Sequence, residues 1–156
     1  MALSDQVQAA IEKFCNTKFS ATALTQKFDG GHDDMIVKIG PIISVTSVTN
    51  NTTAVAVTTT AYAADLEMGA VYRVDGSKWD KDRQKWTLAY SGGYAAIPDD
   101  IQLAIDMWVD YLTTNASGAV KSYKTGDDSE TYYDIGDMPH QVRALIAPYR
   151  RIVYWH

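Results

Sequence analysis

The sequence predicts an α+β fold: a small helical bundle made from N- and C-terminal helices, with an antiparallel β-region inserted between them. Three observations predict it. Apolar residues recur at helical spacing near both ends of the chain. The middle switches to a period of two, in stretches rich in Val, Ile, Thr, Tyr and Trp. Tight turns separate those stretches, which favours antiparallel pairing because parallel strands need long crossovers. At 156 residues the chain is about one domain's length. It can bury ~70% of its unfolded surface, so its core needs neither a metal nor a disulfide.

The first helix is expected over "SDQVQAAIEKFCNTKF". Ser4 or Asp5 can cap it, and Val7, Ala10, Ile11 and Phe14 fall on one face. "TALTQKF" is open to strand or helix, and the Gly-rich "DGGHDD" breaks the pattern. "MIVKI", "IISVTSVT", "TAVAVTTTAY", "AVYRV" and "KWTLAY" then read as strands of one small sheet. Turn chemistry at 40–41, 49–52, 68–69 and 75–82 divides them. The clearest helix follows. Pro98 suits its first turn, Asp99 and Asp100 complement its positive end, and Ile101, Ala104, Ile105, Trp108 and Leu112 form one apolar stripe that Leu103 widens. "KSYKTGDDSETYYDIGD", with a Gly-Asp turn at 126–127, is a loop or a short hairpin. A last short helix starts at Pro139, turns Val142, Leu145 and Ile146 inward and is stopped by Pro148.

Residue chemistry excludes more than it assigns. Cys15 is the only cysteine, so no internal disulfide forms, and its place in an amphipathic helix makes it a buried, inert thiol. No leader-like segment opens the chain and no apolar run approaches ~18 residues, so a soluble protein is expected. "HDD" at His32, Asp33 and Asp34 lacks the continuation of a calcium loop and reads as a solvated turn. The pairs Asp99–Asp100 and Asp127–Asp128 have structural roles at a helix start and in a turn. No nucleophile elbow, phosphate loop or CxxC is present. The residues therefore predict no enzyme, no cofactor and no metal.

The net charge is −5, and −7 once Arg150 and Arg151 are set aside. An acidic body does not grip nucleic acid, since each phosphate contact draws on a Lys or Arg. The end of the chain differs. "PYRRIVYWH" has two arginines, three aromatics and no carboxylate, the residue types that dominate interface hot spots. Residues 149–156 read equally as a partner-docking tail or as an extension packed on its own domain.

Several motifs, in their order along the chain, carry a resemblance: "GPIISVTSVT", "WTLAYSGGYAAIPDDIQLAI", "KSYKTGDDSETY" and the closing "LIAPYRR". Together they resemble the head–tail connector proteins of tailed bacteriophages, also called head-completion or adaptor proteins. The resemblance implies a single connector domain over 1–156 and a structural role in the virion at the head–tail junction, reached from the host cytoplasm during assembly. It implies a ring, usually of twelve subunits, that sits under the portal, extends the DNA channel and offers a platform to a stopper or tail-completion protein. The chain alone can be monomeric, and DNA passes through without specific binding or any membrane involvement. Docking on the portal through the C-terminal segment maps onto Tyr149, Arg150, Arg151, Ile152, Val153, Tyr154 and Trp155. Two alternatives stay open: a tail terminator or stopper of the same assembly, and a non-phage protein-binding module.

Overall fold

The computed structural model describes residues 2–115, 120–125, 128–133 and 137–152. The chain divides into two compact units, one from residues 1–16 with 98–152 and one from residues 17–97. The described elements are α+β, with the β-rich unit inserted between N- and C-terminal helices.

In the helical unit, α1 spans Leu3–Cys15. It buries Val7, Ile11 and Cys15, a stripe at i, i+4, i+8, whereas Ala10 and Phe14 are only half-buried. Neither Ser4 nor Asp5 is the cap. The helix starts early enough that its N-cap is Ala2, with no side-chain cap bond, and Asp5 lies inside the first turn, where it complements the dipole. The second helix, α2, spans Asp99–Thr114. Pro98 precedes it in an extended conformation, and all five stripe residues from Ile101 to Leu112 are buried. Leu103 does not widen that stripe. At 100° per residue it projects roughly 160° from the stripe's centre, and it is 50% exposed.

The polar segment that follows is a hairpin, Val120–Thr125 paired antiparallel with Asp128–Tyr133; its expected turn at 126–127 lies outside the described residues. Helix α3, His140–Ile146, buries Val142 and Ile146 and leaves Leu145 half-buried. One 3₁₀ turn, Ala147–Tyr149, ends it at Pro148, which lacks the N–H an α-helix would need there.

The β-rich unit holds seven strands. They are β1 (Thr22–Phe28), β2 (Asp34–Ile36), β3 (Ile42–Asn50), β4 (Val55–Ala56), β5 (Tyr62–Asp65), β6 (Ala70–Arg73) and β7 (Trp86–Gly92). The single expected sheet is two, ordered β1-β7-β3-β4 and β2-β6-β5, with every pairing antiparallel. The stretch "TAVAVTTTAY" is not one strand. Its first part pairs with the end of β3, and a turn closed by the Ala61 N–H on the Thr58 carbonyl then carries the chain into the other sheet.

Both sheets turn their apolar side chains into one core. Trp86, Leu88 and Tyr90 alternate inward along β7, and Val48 of β3 and Val71 of β6 join them. Cross-strand register sets Phe28 opposite Trp86 and Leu24 opposite Tyr90. At the core's centre Trp79 and Trp86 meet edge to face, with centroids 5.0 Å apart. The "SGG" after β7 has a steric reason at Gly93. Its φ is +103°, and its N–H reaches the Pro41 carbonyl, a conformation that a side chain would strain. In the 75–82 turn, the Ser77 hydroxyl and then its backbone N–H bond the Asp75 carboxylate and hold its pKa below the usual value.

Candidate partner-docking site

The C-terminal segment is built onto the end of α1 within the helical unit. An α-helix leaves its last carbonyls without partners. Here the last one of α1 is used: the Arg151 N–H donates to the Cys15 carbonyl at 2.8 Å. Asn16 makes the arrangement possible. It takes the left-handed conformation at the helix end (φ 53°, ψ 39°), and its side-chain amide donates to the Arg151 carbonyl at 3.3 Å. The two bonds strap the chain's end to the helix terminus.

Side chains extend the seat. The guanidinium groups of Arg150 and Arg143 stand 5.2 and 5.9 Å from the centroid of the same Phe14 ring, both in cation–π range. The Tyr149 hydroxyl donates to Asp100 at the start of α2, at 3.3 Å. The Cys15 thiol points to the Ile146 carbonyl, at 3.7 Å.

Tyr149 and Arg151 are thus half-buried, while Arg150 and Ile152 are exposed, Ile152 by 67%. Val153, Tyr154 and Trp155 lie outside the described residues. The site also recruits Phe14, Asn16, Asp100 and Arg143, which sequence reading did not assign to it. The aromatic-Cys-Asn end of α1 was visible, but nothing local ties it to residues ~130 positions away.

Two predictions follow from this seat. Asn16→Ala loses the amide bond and, with it, the local polar interaction that lets asparagine tolerate left-handed geometry. It should cost about 1–2 kcal/mol in urea unfolding, and Asn16→Gly less. The second concerns Cys15, which is fully buried. Burial, opposed in part by the Arg150 charge, raises its thiol from 9.0 to about 11. The folded protein therefore keeps a proton that the unfolded chain releases. The stability this contributes is present below pH 9 and is lost as pH rises toward 11. A thiol reagent at pH 8 should label Cys15 only as fast as the protein unfolds.

The His32-Asp33-Asp34 segment has a structural role. The His32 carbonyl accepts the Trp79 N–H, and Asp33 faces Lys78 at 4.0 Å on the surface. Among the described residues no group of three His, Cys, Asp or Glu side chains is placed to hold a metal ion. Among them, too, no helix is long and apolar enough to cross a membrane.

A family model for head completion proteins matches residues 2–152. The chain belongs to the head completion protein family. No protein of curated function matches it in sequence. Solved particles contain chains of similar fold. One is in the neck of an empty gene transfer agent particle computed with C6 symmetry: TM-score 0.66, 14% identity, covering 98% of this chain and 78% of that one. Another is in the neck of the native particle computed with C12 symmetry, with the same score and identity, covering 98% and 82%. A third is in the native virion, at TM-score 0.64 and 14% identity, covering 98% and 77%. At that identity the likeness is one of fold. The shared fold spans 98% of this chain.

Proposed function

We propose that this head completion protein is a structural, non-catalytic component of the head–tail junction of a phage-like particle. It forms a ring beneath the portal, carries the DNA channel onward and presents a platform to the next tail component. The observation that carries this reading is the family match across nearly the whole chain. The neck position of the chains that share its fold supports it. Physical chemistry is consistent as well: a net charge of −5 repels phosphates, so DNA can slide through such a ring without lodging.

In this reading residues 149–155 dock the portal. Tyr149–Arg151 are held on their own helical unit by the bonds to Cys15, Asn16 and Asp100, so this part of the segment is ordered before a partner binds. Preorganisation of that kind lowers the entropy lost on binding. Tyr154 and Trp155 are the aromatic anchors.

Removing all of 149–156 would also strip the cap from α1, so a cleaner test ends the chain after Ile152. That shortened protein keeps every bond of the seat and should melt like the full chain. Its affinity for the cognate portal, measured by co-sedimentation, should fall more than about tenfold. Unchanged affinity would take the tail out of docking.

A further inference from the structure

Two exposed surfaces of the helical unit are complementary in charge. The first is the guanidinium pair on Phe14. Arg143 and Arg150 are both exposed and converge on one half-buried ring, and among the described residues neither has a carboxylate within ion-pair reach. Two exposed guanidinium groups beside one ring can together attract a carboxylate from a partner. The second surface is the outward side of α2. Asp106 and Asp110 are exposed there, one turn apart, and follow the half-exposed Leu103 along the same side. Asp106 is oriented by the side-chain amide of Gln102, which donates to it at 3.1 Å. This side is opposite the stripe that α2 buries.

We infer that the Phe14–Arg143–Arg150 surface of one copy receives the Asp106–Asp110 side of α2 from the next copy, as the lateral contact of the ring. The inference rests on the ring reading above and deepens it. A ring needs two different, complementary faces on each subunit, and this unit presents one cationic-aromatic and one acidic-apolar face. Arginine suits the first, because its planar fork can take a carboxylate while its face stays on the ring. The acidic remainder of the chain makes a second copy a natural source of that carboxylate.

A lateral contact makes binding to the portal cooperative, and that is the readout. Wild-type protein titrated onto purified portal rings, with copies per ring followed by light scattering, should fill cooperatively and less tightly as salt rises. The double variant R143E/R150E should lose cooperativity and bind more than about tenfold more weakly, and so should D106R/D110R. The chain carrying all four changes reverses both faces at every interface and should regain cooperative filling. Circular dichroism melting checks that each variant is folded.

If the four-fold variant does not recover, the arginines serve a different partner and the inference falls while the ring reading stands. The same conclusion follows if neither double variant changes the filling curve. A wild-type chain that never accumulates on portal overturns both.

Discussion

Trp79→Ala is expected to lower stability by about 3–5 kcal/mol, the largest effect of any single truncation in the β-rich unit. Trp79 is 1% exposed and packs edge to face on Trp86. Its indole N–H donates to the Val71 carbonyl at 3.3 Å, and the Arg73 guanidinium lies 5.8 Å from its ring. Truncation opens a cavity where both sheets meet and leaves a carbonyl acceptor without its donor. The thermal midpoint should drop by roughly 10 °C for a chain of this size. Trp79→Phe, which keeps an aromatic ring and loses the donor, should cost clearly less. Equal losses for the two variants would mean that the bond to Val71, rather than packing, dominates at this site.

The second large effect is expected at Gly30. A β-carbon there would stand 1.7 Å from the Asp80 carbonyl oxygen, far inside contact distance, and the obstacle is backbone. The close approach has a cause. The N–H groups of Gly30 and Gly31 bond the Asp82 and Trp79 carbonyls, and the Trp79 N–H returns to His32, so two loops are laced together beside the tryptophan pair. Gly30→Ala must pull the loops apart and break bonds on both sides. About 3 kcal/mol is expected from urea unfolding. Gly76→Ala is the contrast: its β-carbon would meet nothing within 4 Å, so only its positive φ of 72° is strained. If Gly30→Ala proved the milder of the two, the loop lacing would not hold this unit together.

The elements that could be read from sequence are those whose pattern is closed within one segment. The α2 stripe is an example, since five apolar residues at helical spacing fix a buried face without reference to anything distant. The alternation along β7 is another. Pairing was harder to read. Strand β7 lies between β1 and β3, partners that are remote in sequence, so local turn chemistry showed hairpins and missed the division into two sheets. Leu103 misled because hydrophobicity alone does not tell which side of a helix is buried.

The C-terminal segment shows the same divide. The arginine-aromatic character of residues 149–155 is a compositional signal visible in the sequence. The seat beneath it is not, because a left-handed Asn16 and a backbone N–H from Arg151 come together only in the fold.

The proposed function requires that copies of this chain close into a ring on a portal. Electron microscopy of the full-length protein mixed with its cognate portal tests it most directly. A second ring of density, coaxial with the portal and continuous with its channel, is expected. Portal rings left bare at saturating protein concentration would contradict it.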